Sequence, residues 1–266
     1  MALEISHLVV NGCSFTYCQG LYDPPNEGWP RLLANKLGVP VVNLAVPGSS
    51  NDGIHRRTYD YYYKNLPTGS KPFFVIAMSM NIRTEAYVTD DSYEKVNDYV
   101  NLAATDHLAI SKAFYSHMDE KGICYSQGRK LRYWASLLNL FDSTNTPYLS
   151  TDYMPDRSQS TQDFVRKEYH TLDNFIKTHP NTLRNFCEIT ANYPRALDNG
   201  HDGPEAQVVL ADYVYNQLIK RYGEVKPITA PYVSLKNFQT QQTRLFSQRN
   251  QWFLQELGKK YYYGLD

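Results

Sequence analysis

The sequence predicts an α/β fold, a parallel sheet wrapped by helices, and two observations carry that expectation. Apolar runs at residues 8–10, 39–44 and 73–77 each give way to a loop and then to a helically patterned stretch, so three strand–loop–helix units precede residue 100. Parallel strands need such crossovers, whereas antiparallel ones are joined by short hairpins. The second observation is size and composition: 266 residues, 42% hydrophobic and 20% charged, are enough to bury a sizeable core.

The elements follow in order. The first strand ends at Gly12, where the chain turns to small and polar residues (Cys13, Ser14, Thr16). A helix starts near Pro30, a good first-turn residue, with Trp29, Leu32, Leu33 and Leu37 on one face and Gly38 to end it. Strand 2 runs into a second small-residue loop, 45–51, and a helix follows from about Asp52 with Ser50 or Asn51 as cap. Strand 3 leads into Met78-Ser79-Met80-Asn81-Ile82-Arg83, and strand 4 covers 147–151 after an amphipathic helix marked by Leu131, Trp134, Leu138 and Phe141. Residues 157–180 read as helical and are expected over the mouth of the sheet. Residues 186–189 read as a short fifth strand, and a helix runs from Glu205 to about Tyr222. No linker, repeat or low-complexity stretch forces a boundary. The expected organisation is one domain over 1–223, with insertions near 84–126 (one helix) and 157–180, and a helical extension at 224–266 packed upon it.

Lys+Arg and Asp+Glu number 27 each, so there is no basic excess of the kind that tracks phosphates, and nucleic acid is a poor candidate partner. The four cysteines (13, 18, 124 and 187) show no metal-ligand spacing, and a chain of this length needs no disulfide staples. Glu4 and His7 interrupt the apolar run a signal peptide would need, and no stretch approaches membrane-spanning length. The expectation is a cytoplasmic protein with reduced thiols and no membrane partner. Tyrosine is in surplus, 23 against 11 Phe and 3 Trp. That suits sugar-binding or protein-binding surfaces, and equally a mere compositional habit.

Ligands of open α/β sheets sit at the carboxyl ends of strands, which makes Ser14 a candidate nucleophile, a phosphate contact, or simply a turn residue. A serine becomes nucleophilic when a histidine takes its proton and an acid orients that histidine. Two of the seven histidines follow an aspartate three residues back, His55 after Asp52 and His201 after Asp198, and of the two only the Asp198–His201 pair lies in a loop bent by Gly200 and Gly203. Asp202 and Pro204 would then start the next helix, and the plainer reading of the same segment is a polar turn capping that helix. The Gly-x-Ser-x-Gly elbow is missing around Ser14, since the fifth position is Thr16. Walker-type and Gly-x-Gly-x-x-Gly loops are missing too.

Taken together, the pieces resemble the SGNH (GDSL) hydrolases. Gly12-Cys13-Ser14-Phe15-Thr16 is similar to that family's first block, and Asn43-Leu44-Ala45-Val46-Pro47-Gly48-Ser49-Ser50-Asn51 to its second. Asp198-x-x-His201 is similar to its last. The resemblance covers residues 6–222 in outline and implies a flavodoxin-like three-layer sandwich with a five-stranded parallel sheet. It also implies a serine esterase that works through an acyl-enzyme without cofactor or metal. Ser14 would attack, His201 carry the proton and Asp198 orient it, with the N–H groups of Ser14 and Gly48 and the Asn81 side chain as oxyanion donors. The third block departs from the family pattern, Gly-x-Asn-Asp, having one Asn, no Gly and no Asp. Asn51 and Arg83 are further candidates to touch substrate, Arg83 through an anionic group. A short acyl ester on a carbohydrate is the expected substrate. The rival expectation is a weak or inactive descendant of the fold that binds through a tyrosine-rich surface.

Because no metal spacing is visible, hydrolysis of a small activated ester is expected to survive strong chelators. Activity lost with EDTA and restored by a divalent ion would reveal a ligand cluster the spacing does not show.

Overall fold

A computed structural model describes residues 2–80, 83–88, 98–102, 120–153 and 158–235. Strand β1 (Leu3–Ile5) is followed directly by β2 (His7–Asn11), the short helices α1 (Ser14–Tyr17) and α2 (Pro24–Glu27), then α3 (Trp29–Leu37) and β3 (Val41–Asn43). Helix α4 (Asn51–Asn65) leads to β4 (Pro72–Met78), and β5 (Thr84–Val88) and β6 (Asp98–Leu102) come next. Then come α5 (Glu120–Ser143), β7 (Tyr148–Asp152), α6 (Gln159–Glu168), α7 (His170–Thr178), α8 (Phe186–Thr190), α9 (Pro204–Tyr222) and β8 (Val225–Pro227).

The central sheet has four strands in the order β3-β2-β4-β7, all parallel. Every residue of β2 is buried, as expected of a parallel strand covered on both faces. Successive side chains alternate between two cores. Leu8, Val10, Phe73, Val75, Ala77 and Leu149 face the layer that includes α3 and α9. Val9, Phe74, Ile76, Met78 and Tyr148 face α4 and α5. Two of the three strand–loop–helix units expected before residue 100 are present, through α3 and α4; the third strand, β4, is followed by β5 and β6, and the helix that leads to β7, α5, begins only at Glu120.

Several expectations are corrected. Residues 186–189 belong to a helix, α8, because the Asn185 side chain caps it by accepting the Cys187 N–H at 2.8 Å. The fifth strand position is held instead by a single parallel bridge of Ser150 with Thr182. Ser150 N–H donates to Asn181 O (2.9 Å) and Leu183 N–H to Ser150 O (2.7 Å). The sheet thus has four strands and a bridge among the described residues. The insertion expected to hold one helix carries an antiparallel pair, β5 with β6, and its helical end is the beginning of α5. Helices α6 and α7 pack on α5, with Val165 and Ile176 in its core, and border the carboxyl end of β7 at Asp152. The helix expected around residues 245–257 lies outside the described residues.

Tyrosine divides between core and surface among the described residues. Tyr61, Tyr62, Tyr148 and Tyr153 are all buried, and desolvation raises the phenol pKa of Tyr61, Tyr148 and Tyr153. Exposed large tyrosines among the described residues are Tyr22, Tyr63, Tyr125 and Tyr193.

The chain closes on itself beneath the sheet. Strand β1 pairs in parallel with β8, Ile228 N–H donates to Ile5 O (2.9 Å), and Tyr232 stacks on His7 at 4.5 Å. The Tyr61 hydroxyl donates to Val233 O (2.8 Å) and also contacts His7 Nε2 (3.0 Å). Having one proton, it must accept from His7 Nε2–H. Ser6 Oγ accepts the Lys71 N–H (2.9 Å) and so gives its own proton to His7 Nδ1 (2.9 Å). Both ring nitrogens are thus matched to a neutral imidazole, and burial pushes the His7 pKa down to about 4.

With a folded pKa below the unfolded 6.5, the unfolded chain binds the extra proton first, so stability is intact above pH 6.5 and declines as pH falls toward about 4. His7→Gln should flatten that decline, worth roughly 3 kcal/mol at full extent. Urea midpoints measured between pH 7 and pH 4.5 check this, and parallel curves for the two proteins would count against it.

Candidate active site

The end of β2 is where the first block turns. Asn11 is fully buried, and its side chain accepts the Gly12 N–H (2.9 Å) while donating to Ile54 O and Thr58 Oγ1 on α4 (both 2.9 Å). Cys13 then sits in the N-cap position of α1 and Ser14 in its first turn. The second block is tied to the first by main-chain and side-chain bonds. Leu44 N–H donates to Val10 O (2.7 Å), Val46 N–H to Gly12 O (3.3 Å), and Asn43 Nδ2 to Thr16 O (3.2 Å). Gly48 adopts φ +76, a conformation that favours glycine. Among the described residues neither the Ser14 nor the Gly48 N–H has an acceptor, so two backbone donors are free beside one strand end.

Asn51 lies at the start of α4, and its amide is engaged with the chain after β4. It accepts from Ser79 N–H (2.8 Å) and donates to Ser79 O (3.2 Å) and Met80 O (3.1 Å). Its observed role is to hold the third-block loop against the second. Asn81 lies outside the described residues. Arg83 Nη1 donates to Ser79 Oγ at 3.4 Å, so its guanidinium borders the same loop.

Asp198 and His201 are joined. His201 Nδ1 is 2.6 Å from Asp198 Oδ2, and Asp198 Oδ1 accepts the N–H groups of Gly200 and His201 (3.0 Å each). Burial alone would raise the Asp198 pKa. The His201 ring and backbone bonds, the His201 charge and the Gly200 N–H outweigh it and hold the carboxyl below its ordinary value. The Phe15 ring, next in sequence to Ser14, packs against the His201 ring at 4.7 Å between centroids. The chain thereby brings the first block and the Asp198–His201 turn to one place. Among the described residues Ser14 Oγ and His201 Nε2 have no hydrogen-bond partner, each other included.

The turn itself is a closed hairpin. Ala196 N–H donates to His201 O (2.8 Å) and Gly203 N–H to Pro194 O (3.0 Å), with Arg195 bridged to Asp202. Asp202 does not cap α9 as the sequence suggested. Gly203 occupies the N-cap, and the Asp202 carboxylate turns inward, where it is 2% exposed. There it accepts from Tyr153 Oη (2.6 Å) and Arg195 Nη1 (2.7 Å). The Tyr153 ring packs on Phe15 at 4.6 Å. Gly20 matters as well: its φ is +90, and a Cβ there would lie 2.8 Å from the Asp198 carboxylate and from Ala196 Cβ. Tyr153, Arg195, Gly20 and the inward face of Asp202 escaped the sequence reading; the one available signal was Asp202 standing beside His201.

No protein-family model and no curated protein matches this sequence. Solved structures do align with it. An esterase, EstA, from Pseudoalteromonas sp. is 14% identical, with 81% of this chain and 97% of that one covered and a TM-score of 0.47. A member of the lipolytic G-D-S-L family from Veillonella parvula is 10% identical, covering 81% and 99%, with a TM-score of 0.43. A carbohydrate esterase is 13% identical, covering 84% and 67%, with a TM-score of 0.48.

Among the described residues no group of three or more His, Cys, Asp or Glu is placed to hold a metal ion, and no helix is long and apolar enough to cross a membrane.

Asp202→Asn exchanges two charge-assisted bonds of a buried carboxylate for weaker ones and should cost on the order of 1–3 kcal/mol. Tyr153→Phe, which removes one donor and keeps the ring on Phe15, should cost about 1 kcal/mol. Chemical denaturation checks both, and a change below about 0.5 kcal/mol for Asp202→Asn would show that the carboxylate is not holding the hairpin.

Proposed function

We propose that this chain is a serine hydrolase that cleaves an ester through an acyl-enzyme intermediate. The observation that carries the reading is the 2.6 Å Asp198–His201 contact, with the imidazole lying on the ring of the residue next to Ser14. With Nδ1 engaged by Asp198, the imidazole presents Nε2 as the free nitrogen.

In this reading Ser14 Oγ attacks the carbonyl carbon and its proton passes to His201 Nε2. The carbonyl oxygen becomes an oxyanion facing the unpartnered N–H groups of Ser14 and Gly48, and Asn81 is the proposed third donor. Collapse of the tetrahedral intermediate breaks the ester C–O bond, and His201 returns its proton to the departing alcohol. Water, deprotonated by His201, then releases the acid and restores Ser14. Asp198, held as a carboxylate, keeps the ring in one tautomer and stabilises the imidazolium between steps. No step requires a cofactor. A short acyl group on a carbohydrate is the proposed substrate, with Arg83 at the rim to meet an anionic group where one is present. A cytoplasmic setting belongs to the same proposal.

Cys13 is the competing nucleophile by sequence alone. Its side chain is fully buried in the core with α3 and α9, where a thiol behaves as a small apolar group. Ser14→Ala should lower kcat on an activated acetate ester by at least ~1,000-fold, whereas Cys13→Ala should retain most turnover. A fluorophosphonate probe should label Ser14, read by peptide mass spectrometry. Loss of activity in a well-folded Cys13→Ala with Ser14→Ala unaffected would overturn the assignment. Unchanged hydrolysis in both would favour a binding protein.

A further inference from the structure

Helix α4 is bonded to all three blocks of the candidate site. Ile54 O and Thr58 Oγ1 accept from Asn11 at the end of β2, and Asn51 holds Ser79 and Met80 after β4. Positions 51, 54 and 58 are spaced three and four apart and share one face of the helix, which position 57 adjoins. Arg57 is 3% exposed and reaches the second block. Its Nε donates to Leu44 O (3.0 Å) and its Nη2 to Ser49 Oγ.

These two acceptors bracket the segment that carries Gly48. Leu44 is itself fixed to β2, its N–H donating to Val10 O (2.7 Å). Ser49 Oγ accepts from Arg57 and donates to Ser50 O (3.2 Å), so its hydroxyl is held from both sides. Between them Val46-Pro47-Gly48-Ser49 forms a turn closed by Ser49 N–H to Val46 O (3.0 Å). Proline in its second position and φ +76 at Gly48 in its third match a type II turn. In a type I turn the third residue has φ of about −90° and the central peptide is turned over, so the Gly48 N–H would point the other way. The direction of that donor therefore depends on the turn keeping its type and its ends keeping their places.

A guanidinium suits that task. Its donors are set in a rigid planar fork, so one side chain fixes the separation of two acceptors, which a lysine ammonium on its flexible stem does not. Burying a cation is costly, and for stability alone an apolar side chain of similar volume often serves as well or better. What the buried fork adds is geometry. We infer that Arg57 is a positioning residue for the oxyanion donor Gly48, clamping the 44–49 segment so that the Gly48 N–H stays turned toward the place where the oxyanion forms. The inference rests on the serine-hydrolase reading and adds to it a residue that touches neither substrate nor the reacting atoms.

The test combines steady-state kinetics on an activated acetate ester with NMR of the Gly48 amide, both on the full chain. Arg57→Lys keeps the charge and loses the fork, and Ser49→Ala removes one acceptor and leaves Arg57 in place. Both half-reactions pass through an oxyanion, so Arg57→Lys should lower kcat about tenfold to a hundredfold with KM changed less than about threefold. Ser49→Ala should lower kcat by a smaller factor, and the double variant should lose little beyond Arg57→Lys, because the two changes break a shared contact. The Gly48 amide resonance should shift in both variants, while the acid limb of the kcat/KM profile, which reports His201, stays in place. Tyr61→Phe, on the same helix but bonded to Val233 beneath the sheet, should melt earlier with kcat unchanged. The inference is overturned if folded Arg57→Lys keeps kcat within about twofold, if the Gly48 amide does not move, or if Tyr61→Phe loses as much activity. If Arg57→Lys does not fold, Ser49→Ala decides by the same two readouts. An active wild type with an equally active Arg57→Lys overturns this inference alone, whereas a wild type that hydrolyses no ester and leaves Ser14 unlabelled by the fluorophosphonate overturns the hydrolase reading and this inference with it.

Discussion

A carboxylate removed from water must be given partners, and Asp202 is the place where this chain meets that demand. Its side chain takes a proton-bearing partner from the end of β7 (Tyr153) and another from the opposite arm of its own hairpin (Arg195). Its carbonyl accepts from Gln207 on α9 (2.9 Å), and Gln207 in turn accepts the first N–H of α3, at Trp29 (3.1 Å). Four elements far apart in sequence are thereby referred to one residue adjacent to His201. Replacing the network by apolar groups would remove the desolvation penalty, but it would also release the constraints on where the imidazole stands. Position is what a proton carrier needs, since small displacements of a catalytic group are expensive in rate.

The parts of the site that were legible in the sequence are the parts encoded locally. Ser14 at a strand end, Gly48 in a small-residue loop, and Asp198 three residues before His201 are all readable from spacing, because each depends on neighbours a few residues away. Gly20 was not, because the reason for glycine there is the Asp198 carboxylate, which arrives from the far end of the chain. Tyr153 looked like one aromatic among many, and only its contact with Asp202, 49 residues on, distinguishes it.

The same division applies to the fold. The two central strands, β2 and β4, announced themselves as apolar runs, since both faces are covered. Residues 186–189 show the limit of that signal: a short run of Phe186, Cys187 and Ile189 fits a strand or a turn of helix equally, and Asn185 decided it by capping. The antiparallel pair β5 and β6 was hidden for the opposite reason, being polar and outside the sheet whose pattern was being read. Tyrosine misleads as composition because its ring is as good a core filler as phenylalanine wherever the hydroxyl finds an acceptor. Tyr148 meets that condition with Asp142 at 2.9 Å, Tyr61 with the Val233 carbonyl and Tyr153 with Asp202.

The strap formed by β8 and residues 228–235 has a consequence for how the molecule is made. Its bonds join residues separated by more than 160 positions, Tyr61 to Val233 and Asn65 to Val233 among them. Chain closure over such distances is entropically slow and comes late. On a ribosome the sheet and α4 would be synthesised long before their underside is covered, so His7 and Tyr61 would stay wet until the strap emerged. A nascent chain halted near residue 220 would thus carry every residue of the Asp198–His201 turn and still lack the floor beneath the strand that leads to Ser14.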